Sequence, residues 1–149
     1  MNRRVPAALA ALAALLLTAC GPGPDAGVLI EDPWIREAPP GARALAGYMR
    51  LENRGDAPVA LLLANSDTFE RIELHHTLQV DGTMRMVEVD HVPLPPGETV
   101  AFAPGGLHLM LFTPREPLRA GDRVTIELTF SDGTARDLRF EVRDVRERR

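Results

Sequence analysis

Residues 68–92 read TFERIELHHTLQVDGTMRMVEVDHV, and their pattern decides the fold. Apolar and polar residues alternate from Ile72 to Val80, and a second run begins after Asp81-Gly82. Alternation with a period of two marks a half-buried strand, and Asp-Gly suits the left-handed positions of a two-residue hairpin turn. Such a turn pairs Val80 with Thr83, and counting back places Thr77 opposite Met86. His75 and Thr77 then share a face with Met84 and Met86. His75 and Met86 become diagonal neighbours, about 7–8 Å apart along the backbone. A three-residue turn would move Met86 to the opposite face.

The same kind of segment fills the chain on both sides. Strand-like runs cover Val28–Ile30, Trp34–Ile35, Leu45–Leu51, Pro58–Ala64, Thr99–Phe102, Leu107–Phe112, Val124–Phe130 and Asp137–Val142. Pro39-Pro40-Gly41, Asn53-Arg54-Gly55-Asp56 and Pro95-Pro96-Gly97 break the runs, and Asp132-Gly133 marks a second tight hairpin. No stretch keeps a helical period. About eight strands at this spacing predict an all-β domain over residues 28–142, an antiparallel sandwich or Greek-key barrel. Trp34 and Tyr48 are read as core aromatics, and residues 143–149 as a charged, solvated tail.

Composition narrows the function. The 149 residues carry 17 basic and 21 acidic side chains, a net charge of -4, and 45% are apolar. That excludes a disordered chain and argues against nucleic acid, whose phosphates need a basic surface. Every basic residue is Arg, so lysine chemistry such as a Schiff base is excluded. Ser66 and Ser131 are the only serines, and neither sits in a nucleophile elbow. One cysteine, Cys20, permits no internal disulfide and no multi-cysteine zinc site.

The position of Cys20 gives it a different role. Arg3 and Arg4 precede an Ala/Leu-rich run from Val5 to Leu17, of signal-peptide length and too short to span a bilayer. The run ends Leu17-Thr18-Ala19-Cys20, which resembles a bacterial lipobox, in which the cysteine is acylated and becomes the new N-terminus. Residues 1–19 are thus expected to be a lipoprotein signal peptide, and residues 20–27 a lipidated N-terminus and flexible tether. Removing 1–19 takes Arg3 and Arg4 with it and shifts the charge from -4 to -6. The expected location is extracytoplasmic, at the periplasmic face of a membrane.

Soft metal ligands are what remain. Apart from Met1, the methionines are Met49, Met84, Met86 and Met110, and the histidines are His75, His76, His91 and His108. His108 and Met110, two apart on one strand, share a face as His75 and Met86 do. Imidazole with thioether suits Cu(I), whereas Zn(II) favours Cys, His or carboxylate, and Mg or Ca oxygen. The same residues also fit plain packing, since a strand methionine commonly fills a core. His76 is expected to point away from His75 at the surface, and His91 to be exposed.

The spacing His75, ten residues, Met86, twenty-one residues, His108, one residue, Met110 resembles the metal motif of the periplasmic copper chaperones called PCu(A)C. Asp32-Pro33-Trp34, Gly47-Tyr48-Met49, Glu52-Asn53, Pro104-Gly105-Gly106 and Gly121-Asp122 match further landmarks of that family. The resemblance implies a cupredoxin-like β-barrel binding one Cu(I) through His75, Met86, His108 and Met110. Met84 is expected beside the site, and Glu73, on the His75 face, either to orient an imidazole or to form an exposed salt bridge. The resemblance also implies a non-enzymatic role: copper delivery to cytochrome c oxidase, with a copper-accepting oxidase subunit and a thiol-bearing assembly protein as partners. The tail holds no His or Met, which argues against a second tail site. A copper buffer without a dedicated acceptor and a β-sandwich assembly module are the competing readings.

Overall fold

Asp81 and Gly82 both adopt left-handed backbone, with φ of 51° and 75°. This is the conformation a two-residue type I′ hairpin demands, and glycine adopts it without the Cβ clash. The computed structural model describes residues 27–144. The expected signal segment, Cys20, the rest of the tether before residue 27 and the tail beyond residue 144 lie outside them.

The chain forms ten strands: β1 (Val28–Arg36), β2 (Ala44–Asn53), β3 (Val59–Asn65), β4 (Phe69–Val80), β5 (Thr83–Glu88), β6 (Val92–Leu94), β7 (Thr99–Phe102), β8 (Leu107–Pro114), β9 (Arg123–Phe130) and β10 (Ala135–Arg143). They run in the order β5-β4-β8-β7-β2-β1-β10-β9-β3-β6, and β8 also bonds to β2. Alternate residues of these strands meet in one apolar cluster that includes Ile35, Leu51, Leu61, Leu94, Leu109 and Phe140, all fully buried. Burying each such side chain contributes about 1.5–3 kcal/mol, and that drives the sheet to close over its own face. The result is a cupredoxin-like β fold. Among the described residues no helix is long and apolar enough to cross a membrane.

Four details depart from the sequence pattern. Val28–Ile30 and Trp34–Ile35 belong to one strand, interrupted by a bulge between Glu31 and Trp34 where Asp32 has φ 46°. The run Thr83–Val92 is two strands. β5 pairs with β4 as far as His75 opposite Glu88, then the chain crosses so that β6 pairs with β3 and buries Val92 and Leu94. Most pairings are antiparallel, but β1 meets β10 in parallel, with Trp34 opposite Glu141 and Arg36 opposite Arg143. Arg143 is therefore strand and not tail; it donates to Asp32 at 2.7 Å and Glu141 at 3.1 Å.

Trp34 also differs from expectation. It is half-buried and stacks on Tyr48 with ring centroids 4.6 Å apart, while the Arg143 guanidinium lies 5.8 Å from its ring. Tyr48 is buried as expected. Gly47 sits where β2 approaches β8 closely: a Cβ there would lie 3.3 Å from Leu109 Cβ.

Candidate metal centre

Strands β5, β4 and β8 form one edge of the sheet, and their registers gather the ligand-type residues on one side. Across β4 and β8, His75 is the partner of His108 and Glu73 of Met110. Across β4 and β5, Thr77 is the partner of Met86, Gln79 of Met84 and His75 of Glu88. Directly paired residues point to the same face. His75, Met86, His108 and Met110 therefore share one face, with Glu73, Glu88 and Met84 beside them. Ile72, Leu74, Leu109 and Leu111 take the other face and enter the core. The candidate ligands thus project from the face of the sheet turned away from that core.

The two histidines are held in different ways. His108 is only 4% exposed, and its Nδ1 donates to the Gly106 carbonyl at 3.0 Å. A carbonyl can only accept, so Nδ1 carries the proton and the lone pair is on Nε2. The Pro104-Gly105-Gly106 loop positions that carbonyl, which also accepts the Thr77 N–H at 3.1 Å. His75 has its Nε2 at 2.8 Å from Glu73 Oε2. Glu73 Oε1 in turn accepts from Arg71 Nε at 2.6 Å. The bond from Arg71, and then that from His75, hold the Glu73 carboxyl below the usual carboxylate range, and the same bond to Glu73 raises the Arg71 guanidinium. The ionised carboxylate makes Nε2 the donor, and in the neutral ring that leaves the lone pair on Nδ1.

That Nδ1 is buried and has no hydrogen-bond partner. A buried polar atom left unpaired costs about 1–3 kcal/mol. A bound metal ion would relieve that cost, and the carboxylate on the far nitrogen is the usual device for orienting a metal-binding imidazole. The rings of His75 and His108 lie 5.9 Å apart at 57°. Arg71 is stacked over Phe112 at 3.9 Å, fixing the guanidinium that anchors Glu73. The donors so assembled, two neutral imidazoles and thioethers, fit a soft cation.

The methionines are less enclosed. Met110 is half-buried, whereas Met86 is 53% exposed on the edge strand. Met84 shares the face but lies two pairs further from the histidines than Met86, opposite Gln79, and is 57% exposed. His76 takes the opposite face to His75 and is half-buried, and His91 is exposed. Met49 is buried in the core. Glu88 is the residue that sequence reading missed: one oxygen of it, one of Glu73 and a ring nitrogen of His75 all lie within 4.8 Å of one another. Extending the hairpin count two pairs beyond Thr77–Met86 would have found it.

A cupredoxin-like sheet with imidazoles and thioethers gathered on one outer edge defines the class. The chain belongs to the LpqE-like family, of PCuAC type, whose model matches residues 28–142. It is 32% identical over 125 residues to Lxx21020 of Leifsonia xyli subsp. xyli, assigned to the lipoproteins by name only, spanning 83% of this chain and 74% of that one. Among solved structures it is similar to the copper-bound PCuAC domain of PmoF2, with 26% identity, TM-score 0.67 and coverage of 78% and 92% of the two chains. It is also similar to the Cu(I) form of DR1885 from Deinococcus radiodurans, with 26% identity, TM-score 0.66 and coverage of 89% and 87%.

Proposed function

We propose that the protein is a lipid-anchored, extracytoplasmic copper chaperone that binds one Cu(I) through His75, Met86, His108 and Met110. The observation that carries this reading is the direct pairing of His75 with His108, with the buried Nδ1 of His75 left without a partner. Kinship with PCuAC domains whose structures contain copper supports the choice of metal. The family's association with lipoproteins supports attachment through Cys20.

The chemistry is binding and hand-over, with no bond made or broken in a substrate. Neutral soft donors stabilise Cu(I) over Cu(II), and the absence of a thiolate keeps the site free of disulfide formation in an oxidising compartment. His108 and His75 are fixed by their second nitrogens and hold the ion in place. Met86, exposed on the edge strand, is the donor a partner's thiolate displaces first. The acceptor in this reading is the copper centre of cytochrome c oxidase, reached through a thiol-bearing assembly protein.

The test is a Cu(I) titration of the residue 20–149 protein against a competing chelator. Tight one-to-one binding that is lost in Met86→Leu/Met110→Leu is the expected result; unchanged affinity in that variant would overturn the reading. Transfer of copper to an oxidase copper-centre domain then separates a chaperone from a buffer.

A further inference from the structure

We propose that His75 serves two alternative donor sets, and that the second, Glu73 and Glu88 with the His75 ring, takes a borderline divalent cation, Cu(II) ahead of Zn(II). It rests on the foregoing reading only in taking His75 as the shared ligand.

The geometry comes from three register positions. Glu73 and His75 are two apart on β4 and face the same way, and Glu88 on β5 is the direct partner of His75. Their ligand atoms lie within 4.8 Å of one another, close enough for a single ion to bridge them with small side-chain movements. Glu88 is exposed at the sheet edge, so its carboxylate is free to swing inward. The cluster holds two carboxylates and one guanidinium, that of Arg71, which leaves an excess of negative charge where the Cu(I) set has none.

Ring chemistry makes the two sets exclusive. A neutral imidazole has one N–H and one lone pair. With Nε2–H bonded to Glu73, the lone pair is on Nδ1 and serves the thioether set. With the proton on Nδ1, the Nε2 lone pair would face the Glu73 carboxylate, an arrangement that is repulsive unless a cation lies between them. A divalent ion supplies that cation, and two carboxylates with an imidazole are the donors that borderline divalent ions favour. Copper should therefore change position at the site with its oxidation state, as donor hardness dictates. The preference for Cu(II) over Zn(II) follows the general order of divalent affinities.

The experiment titrates the residue 20–149 protein with CuSO4 in air, with ZnSO4, and with Cu(I) under reductant and chelator competition. Electron paramagnetic resonance reads the Cu(II) donors directly. Expected for Glu88→Gln is a loss of about tenfold in Cu(II) affinity, with a shift of the Cu(II) spectrum toward fewer oxygen donors and Cu(I) affinity held within about twofold. Met86→Leu/Met110→Leu should do the reverse. Protein preloaded with Cu(I) should take up no Zn(II) at this cluster. Unchanged Cu(II) affinity and spectrum in Glu88→Gln would overturn the proposal, as would simultaneous binding of Cu(I) and Zn(II) there. Circular dichroism confirms folding, and Glu88→Asp, which keeps the carboxylate, should retain the Cu(II) spectrum. If the two-Met variant keeps its Cu(I) affinity, the chaperone reading falls while the Glu88 result stands on its own.

Discussion

His75 and His108 are direct partners on neighbouring strands, and each ring has one nitrogen already engaged by the protein. The engaged groups differ: a carboxylate tied to Arg71 for His75, a backbone carbonyl for His108. Only the first can be removed by mutation without touching the main chain.

Glu73→Ala is therefore expected to free the His75 ring and weaken Cu(I) binding by about 10–100-fold, the usual cost of losing a ligand-orienting carboxylate. Chelator competition measures it. Because Glu73 is half-buried but lies outside the apolar core cluster, the melting temperature should move little. An unchanged Cu(I) affinity would remove Glu73 from the site.

Asn53 is the fully buried polar side chain that ties β2 to its surroundings. Its Nδ2 donates to the carbonyls of Ala57 and Leu94, both at 2.9 Å, and its Oδ1 accepts the Gly55 N–H at 2.9 Å. Asn53→Ala leaves those backbone groups unpaired and should destabilise the protein by about 2–4 kcal/mol. Urea unfolding measures the loss, and a change under about 1 kcal/mol would show that water replaces the amide.

Tyr48 is the single tyrosine, and burial pushes its phenol above the ordinary value, with Arg36 pulling it part of the way back. The folded value then exceeds the unfolded one, near pH 10. Stability is full below that pH and is lost as pH rises through the folded value. Absorbance at the phenolate band should show late ionisation in the native protein and ordinary ionisation in denaturant. Coincident titrations would contradict the burial.

Gly82→Ala adds a Cβ at φ 75° in the hairpin turn. Open space surrounds it, so the cost is backbone strain alone, about 1–2 kcal/mol. Thermal unfolding checks this. Cu(I) affinity should persist, since the β4–β5 register is also held by six paired positions from His75–Glu88 to Val80–Thr83.

Legibility in the sequence followed locality. Asp81-Gly82 defined a hairpin register that relates Thr77 to Met86 through a two-residue turn, and the structure has that register. The pairing of His75 with His108 was not readable, because β4 and β8 are separated by three strands and no local turn sets their offset. Thr83–Val92 looked continuous because both pieces alternate; only tertiary packing shows that Val92 and Leu94 fill a different edge. The parallel contact of β1 with β10 likewise joins the two ends of the domain and leaves no trace in local pattern. Exposure was the remaining blind spot. Nothing in the sequence distinguishes half-buried Met110 from Met84, which stands 57% in solvent.

The entry of the chain into β1 has a mechanical consequence. Gly27 and Val28 have their carbonyls held by the Arg54 N–H at 2.8 Å and by Arg136 Nη1 at 2.6 Å, and β1 then runs between β2 and β10. A pull arriving from residues before 27 is thus loaded in shear along an interior strand, not peeled from an edge. Through the β8–β2 pairing the strand bearing His108 and Met110 lies two steps from β1, and the edge strand bearing Met86 and Glu88 four, so a load on β1 enters the sheet away from the exposed thioether.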